Sequence, residues 1–216
     1  MYTTALSLLK QIKESGYEGY IVGGYPRDQY RGYENSDIDI CTSMPIALLE
    51  QTFHVINKQV QYGSCTIEKD EFLFEVTIYR KDYYGENRYP EIETVSTLEE
   101  DLCRRDFVMN TLCIDCDGKY VDLMGAKYDI DAKIIRSVGN PDIKFNEDPL
   151  RMIRAIRFAS DLDFSMEQSL YDSILKNKHL LKQLSHNRTE KEIRKVKNQE
   201  KWNSYLEVLD LKSYLS

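Results

Sequence analysis

The stretch Tyr20–Cys41, YIVGGYPRDQYRGYENSDIDIC, constrains the fold of this chain more than any other. Ile21 and Val22 run as a strand into Gly23-Gly24, a pair that lets the backbone turn tightly and approach a ligand, with amide groups free to meet phosphate oxygens. Pro26 fits the first turn of a helix, where its missing N–H costs nothing, and Arg27 stands beside a helix start that already favours anions. Ser36-Asp37-Ile38-Asp39-Ile40 then reads as a second strand, whose alternation puts Asp37 and Asp39 on one face and Ile38 and Ile40 on the other. Two carboxylates roughly 7 Å apart on a strand face repel each other unless a cation sits between them. Hard oxygen ligands of this kind suit Mg²⁺, which shares its remaining positions with water and substrate phosphates. Taken singly, Asp-x-Asp reads as a solvated edge strand and Gly-Gly as a surface turn. Coupled at this spacing, with Arg27-Asp28 between them, they predict a nucleoside triphosphate cradled by Gly23, Gly24 and Arg27 over one or two Mg²⁺ on Asp37 and Asp39.

A chain of 216 residues, 42% of them hydrophobic and 30% charged, has enough apolar surface for one or two domains. No apolar run approaches the ~20 residues that cross a bilayer, so a membrane partner is not expected. The N-terminus, MYTTALSLLKQIKESGYEG, reads as an amphipathic helix with Leu6, Leu9 and Ile12 on one side rather than as a signal peptide. Five cysteines, an odd number without a framework spacing, point to a reducing compartment and a cytoplasmic location. Cys113-x-x-Cys116 has no second pair and no nearby histidine, which argues against zinc. The net charge of −7 is uneven, because residues 176–201 hold nine Lys/Arg against three Glu. That basic segment reads either as a solvated helix face or as a surface for nucleic acid beside an acidic metal site.

Further along, Thr42 to Pro45 carry the start signals of a short helix over 46–53. Strands are predicted over 60–67 and 72–79, joined by the polar turn 68–71. In the second of these, FLFEVTIY, Glu75 is the only charge; it must pair, stay wet or take a metal beside Asp37 and Asp39. Residues 80–95, polar and rich in Tyr, read as a long loop. Leu98 opens a helix whose acidic first turn matches its dipole, and the i, i+4 spacing puts Asp106 and Asn110 on one helical side. A hairpin over 112–115 and 119–123 turns at Asp117-Gly118, and a strand over 134–138 closes at Gly139-Asn140-Pro141. Asp148-Pro149 then starts a helix with Leu150, Ile153, Ile156 and Phe158 on its apolar side and Arg151, Arg154 and Arg157 on the other. Asp148 and Arg151 read either as an intrahelical ion pair or as the acceptors and donor fork that hydrogen-bond a base edge. Further helices are expected over 166–175 and 187–209.

Taken together, these motifs resemble those of the class II CCA-adding tRNA nucleotidyltransferases and bacterial poly(A) polymerases, collinearly from about Tyr20 to Val196. Gly23, Gly24, Arg27, Asp28, Asp37 and Asp39 resemble the family's first motif, and Glu75 falls where the family has its third catalytic carboxylate. Arg105, Asp106 and Asn110 are similar to the motif that recognises the ribose of the incoming nucleotide, with Thr111 in place of the usual Ala. Asp122, Leu123 and Gly125 resemble a hinge motif. Glu147-Asp148-x-x-Arg151 resembles the motif in which the Asp and Arg pair with the Watson–Crick edge of CTP or ATP, and Arg154 is a further nucleotide-binding candidate. Arg188 and Glu192 resemble the motif on the following neck helix. Residues 80–90 resemble the flexible loop needed for adding the terminal A, with Asp82, Arg88 and Pro90 in place.

The resemblance implies an α+β fold: a nucleotidyltransferase catalytic head over 1–135, with a small mixed β-sheet and flanking helices, then a helical neck over 136–216 for base selection and RNA binding. It implies a template-independent, two-Mg²⁺ transfer of CMP and AMP from CTP and ATP to the 3′ end of tRNA, with Asp37, Asp39 and Glu75 as the catalytic metal ligands. A poly(A) polymerase-like tailing enzyme and a catalytically silent RNA-binding subunit are the alternatives. Family members continue into body and tail domains that grip tRNA, whereas this sequence stops after the neck. The expectation is therefore a short form, in which the basic neck alone holds tRNA, a second subunit such as another copy helps, or the substrate is a smaller RNA end.

Overall fold

The computed structural model describes residues 1–85 and 90–215. The chain divides into two compact units, one made of residues 1–105 and 109–127, the other of 106–108 and 128 onward. The sequence placed a boundary at 135/136. The division comes earlier because Val108 N–H donates to Arg136 O at 2.9 Å and Val138 N–H to Asp106 O at 3.0 Å, which ties residues 106–108 and the segment before 138 into the second unit.

In the first unit, α1 (Tyr2–Glu14) leads into β1 (Gly19–Val22), α2 (Gly24–Tyr30) and β2 (Asp39–Thr42). There follow α3 (Ile46–Thr52), β3 (Val55–Gln59), β4 (Ser64–Lys69), β5 (Phe72–Ile78), β6 (Arg80–Tyr84), β7 (Pro90–Thr94), α4 (Leu98–Cys103), β8 (Cys113–Ile114) and β9 (Tyr120–Val121). Seven of these strands form one sheet in the order β3-β4-β5-β2-β1-β8-β9. It is mixed: β2 and β5 run parallel, and every other neighbouring pair is antiparallel. This is the small mixed sheet with flanking helices that the sequence implied.

Alternation along the strands sorts residues to two faces. Ile38, Ile40, Phe74 and Val76 pack on one side with Ala5, Leu8, Leu9 and Ile12 of α1 and Leu49 of α3. Burying each large apolar side chain there contributes about 1.5–3 kcal/mol. The α1 stripe is Ala5, Leu8, Leu9 and Ile12, spaced as a core-facing helix requires, while Leu6, expected in it, is only partly buried. A second cluster joins Val22, Cys41, Tyr79 and Cys113 to Leu98 and Leu102 of α4.

Two segments here differ from expectation. Val60–Tyr62 form a 3-10 turn between β3 and β4 instead of opening a strand. Gly63 follows with φ +60, and a Cβ there would lie 2.9 Å from both Ile78 and Ile92. Residues 80–84 and 90–94, expected as a loop, pair as a two-stranded hairpin with Asp82 opposite Ile92. Lys81 pairs with Glu100 of α4 and Asp82 lies 3.7 Å from Arg104 at the end of that helix, so ion pairs rather than apolar burial hold it and its composition hides it.

Apart from residues 106–108, the second unit runs from within α5 (Ala126–Asp131) through β10 (Ile134–Ile135), α6 (Pro141–Glu147), α7 (Leu150–Leu162), β11 (Ser165–Met166), α8 (Gln168–Asn177), α9 (His186–Ile193), α10 (Gln199–Val208) and α11 (Lys212–Leu215). β10 and β11 pair in parallel, and Met152, Ile153, Ala155 and Ile156 bury one side of α7 completely. α6 was not expected. Asn140 accepts from the Asp142 and Ile143 N–H groups, so Gly139-Asn140-Pro141 starts a helix instead of merely closing a strand. The single helix expected over 187–209 is two, because Asp161 accepts the Lys197 and Asn198 N–H groups at 2.8 and 3.0 Å and Asn198 caps α10. Among the described residues no helix is long and apolar enough to cross a membrane.

Candidate active site

Strand register decides which acids meet. Asp39 on β2 stands opposite Glu75 on β5, and residues opposite each other share a face. The row extends to Val22 on β1 at one end and to Thr66 on β4 and Asn57 on β3 at the other. Glu75 is exposed and Asp39 half-buried, while their neighbours along the strands are buried on the opposite face.

Asp37 lies before β2, exposed, with its N–H donated to Asn35 Oδ1 at 2.9 Å. A local Asx turn, not the strand ladder, sets its direction. The structure thus brings two of the three expected carboxylates into one row. Among the described residues no group of three or more His, Cys, Asp or Glu is arranged to hold a metal ion. The pair is nonetheless an all-oxygen donor set of the kind Mg²⁺ takes.

Gly23 has φ 81 and ψ −133, close to a backbone region that only glycine occupies comfortably. A Cβ there would also stand 3.2 Å from Asp39 Oδ2. The glycine turn is therefore fitted to that carboxylate, and a side chain would fill the cradle beside it. At Gly24 a Cβ would meet Arg27 and Asn35 at 3.5 Å, an ordinary contact, so sterics do not demand the second glycine.

Arg27 is 5% exposed. It donates through Nε and Nη2 to the two Asp28 oxygens at 2.8 and 2.9 Å, and through Nη1 to Asn110 Oδ1 at 2.6 Å. Asn35 Nδ2 also donates to Asp28, at 2.9 Å. The bidentate carboxylate fixes the plane of the guanidinium. Beside these residues, Tyr25, Gln29, Tyr33, Glu34, Asn35 and Ser36 line an open pocket of about 590 Å³.

Arg105, expected at the nucleotide, donates to Asp101 Oδ2 at 3.1 Å. Asp101 is completely buried and also accepts Arg104 Nε at 2.8 Å and the Arg80 N–H at 3.3 Å. Burial opposes its charge, but Arg104 and Arg105 together outweigh burial and hold the carboxyl below its usual range. Sequence reasoning passed over Asp101 because it looked like one more acid in a helix's first turn. Asp82 accepts Arg80 Nε at 2.8 Å and lies 3.7 Å from Arg104, which anchors β6 to α4. Arg88 lies outside the described residues.

Asp106 and Asn110 do not share a helix as expected. α4 ends at Cys103, residues 108–110 form a 3-10 turn, and the two side chains belong to different units.

In the second unit, Asp106 Oδ2 accepts Arg154 Nε at 2.7 Å. Asp148 accepts the Leu150 N–H at 3.1 Å on one oxygen and Arg188 Nη2 at 2.9 Å on the other. Arg151, 6% exposed, donates to Lys144 O at 3.0 Å and Glu147 Oε2 at 2.5 Å. Glu192 on α9 is 3% exposed, accepts Arg157 Nε at 2.6 Å and lies 3.8 Å from Arg154. Burial disfavours its charge, yet Arg154 and Arg157 hold the Glu192 carboxyl below its usual range. α9 therefore fixes the polar side of α7 at two points, Asp148 and the arginine pair.

Residues 19–136 match the family described as Poly A polymerase head domain. The chain is 39% identical over 187 residues to the CCA-adding enzyme of Ligilactobacillus salivarius, covering 85% of this chain and 46% of that protein. It is 37% identical over 199 residues to the CCA-adding enzyme of Bacillus subtilis, covering 91% and 50%. The crystal structure of the Bacillus stearothermophilus CCA-adding enzyme in complex with CTP superposes with a TM-score of 0.91 at 33% identity, over 99% of this chain and 53% of that one. The chain thus spans about half the length of the curated relatives it matches. Since the family match takes in more than half of the 216 residues and contains the glycine turn, Asp39 and Glu75, the chain belongs to the Poly A polymerase head domain family.

Proposed function

We propose that this chain is a template-independent RNA nucleotidyltransferase that adds CMP and AMP from CTP and ATP to the 3′ end of tRNA. The observation that carries the reading is the Asp39–Glu75 row with Gly23 packed against Asp39. Asp39 and Glu75, together with the exposed Asp37 just before β2, are the residues assigned to hold Mg²⁺. When bound, the ion neutralises triphosphate charge and activates the attacking hydroxyl.

The chain's own residues supply the rest. Gly23 and Gly24 leave space for phosphate oxygens, and Arg27, its fork oriented by Asp28, donates to the nucleotide with Asn110 beside it. The acceptor 3′-oxygen bonds to the α-phosphorus, the bond to the bridging oxygen breaks, pyrophosphate leaves with the electron pair, and the hydroxyl proton passes to water.

Asp148 and Arg151 are assigned to the base edge and Asp106 and Asn110 to the ribose, with Arg154 steadying Asp106 at 2.7 Å. A carboxylate accepts from the exocyclic amino group of cytosine or adenine, and an arginine donates to the adjacent ring nitrogen. Uracil and guanine present the opposite pattern at these positions. The five free cysteines suit a reducing, cytoplasmic setting.

The test is to incubate the chain with tRNA ending at the discriminator base, CTP, ATP and Mg²⁺, and to sequence the 3′ ends. Added CCA, or its terminal part, is the expected product. Long tails from ATP alone would make the chain a tailing enzyme, and no incorporation would overturn the reading.

A further inference from the structure

We propose that Thr66 and Asn57 form the subsite for the terminal ribose of the acceptor strand, the strand whose 3′-hydroxyl is extended. This rests on the nucleotidyl-transfer reading and assigns a substrate contact to residues outside the motifs. Val22, Asp39, Glu75, Thr66 and Asn57 lie in one row across five strands and on one face, about 4.8 Å apart from strand to strand.

The two ends of the row differ in chemistry. At the β1 end the chain turns through Gly23, whose backbone comes so near Asp39 that a Cβ would stand 3.2 Å from Oδ2. That is the phosphate end. At the other end Glu75 is followed by a hydroxyl and an amide, each able to donate and accept. Thr66 is half-buried, Asn57 is exposed, and neither side chain makes a hydrogen bond among the described residues. Thr77, Ser64 and Gln59 repeat this neutral polar character in the next row on the same face. Lys58, between Asn57 and Gln59, alternates to the other face, where it pairs with Glu50.

Nucleotidyl transfer is an in-line displacement, with attacking and leaving oxygens on opposite sides of the α-phosphorus. Pyrophosphate leaving toward Gly23 requires the 3′-hydroxyl to arrive from the Glu75 side. The sugar that carries it then lies over Thr66, one strand spacing on, and Asn57, two spacings on. The 2′-hydroxyl of a ribose is both donor and acceptor, the group by which a protein tells RNA from DNA, and it matches the Thr66 hydroxyl. A phosphate subsite would need Lys or Arg, which this row lacks.

The test compares Thr66→Val and Asn57→Ala with the parent chain, using an RNA acceptor and the same acceptor with a 2′-deoxy terminal sugar, and reads kcat and KM for acceptor and for CTP separately. Thr66→Val should raise KM for the ribose-terminated acceptor roughly tenfold, the effect of one lost hydrogen bond, leave KM for CTP unchanged, and shrink the preference for ribose over deoxyribose. Asn57→Ala should raise the acceptor KM as well, and Thr66→Ser, which keeps the hydroxyl, should behave as the parent. Parent-like sugar preference in Thr66→Val overturns the subsite, as does an equal loss in Thr66→Ser. A parent chain that extends no acceptor at all refutes the underlying transferase reading instead.

Discussion

Arg188 on α9 donates to one oxygen of Asp148 at 2.9 Å while the Leu150 N–H takes the other at 3.1 Å. One aspartate thus starts α7 and is steadied by a second helix. Replacing Asp148 or Arg151 by Ala should relax the choice among the four nucleotides more than it slows transfer. Arg188→Ala should lower the preference for CTP over UTP by about tenfold, because losing one charge-assisted hydrogen bond lets the carboxylate turn. Single-turnover incorporation of each nucleotide measures this, and unchanged selectivity in both Asp148→Ala and Arg151→Ala removes the base-edge role.

Asp39→Ala should cut incorporation by at least about 10²-fold, the scale of losing a group that stabilises developing charge. The fold should persist, because Asp39 sits half-buried on the open face of the sheet. Labelled CTP incorporation and a thermal melt on the same preparation separate the two effects. Chelating Mg²⁺ in the parent chain should abolish incorporation to the same degree; normal turnover by Asp39→Ala would remove the metal assignment.

Gly23→Ala tests the turn. The backbone at φ 81 and ψ −133 costs a residue with a Cβ about 1–3 kcal/mol, and the new methyl would press on the Asp39 carboxylate. Urea unfolding should show the loss of stability, and incorporation should fall beyond what that loss explains. A variant as stable and active as its parent would mean that the turn carries no such constraint.

Glu192 gives a pH signature. Against the effect of burial, Arg154 and Arg157 hold its carboxyl below the usual carboxylate range in the folded chain, so it stabilises the fold above the unfolded value, and that stability is lost as pH falls through the folded one. Glu192→Gln strips Arg154 and Arg157 of their shared buried partner and should cost about 3 kcal/mol near neutrality. The gap between parent and variant in unfolding free energy should narrow as pH is lowered below about 4.5. A gap that stays constant over that range would show that the carboxylate's charge is not what stabilises α9 against α7.

The sequence disclosed the parts of the fold whose cause is local. Gly23-Gly24 breaks β1, and the alternation of Asp39 and Ile40 announces β2 with its two faces. The hairpin of β6 and β7 stayed hidden because Lys81 and Asp82 are held by ion pairs to distant Glu100 and Arg104, and Arg80 by its pair with Asp82, rather than by an apolar period. α6 was missed because Asn140-Pro141 serves equally to end a strand and to cap a helix. The break between α9 and α10 depends on Asp161, far back along the chain, accepting two N–H groups. In the candidate site, Asp39, Glu75 and Gly23 were legible from their own motifs. The row that joins Asp39 to Thr66 and Asn57 was not, since register between strands is a property of pairing and no single segment encodes it.

β2 and β5 are the one parallel pair in an otherwise antiparallel sheet, and a parallel neighbour needs a crossover before it can dock. Here the crossover is α3, β3 and β4. A chain still emerging from the ribosome therefore holds Asp39 alone until β5 has been made and threaded home. On the proposed reading, the two carboxylates can hold an ion together only after that docking step, so metal binding reports on the pairing of β2 with β5.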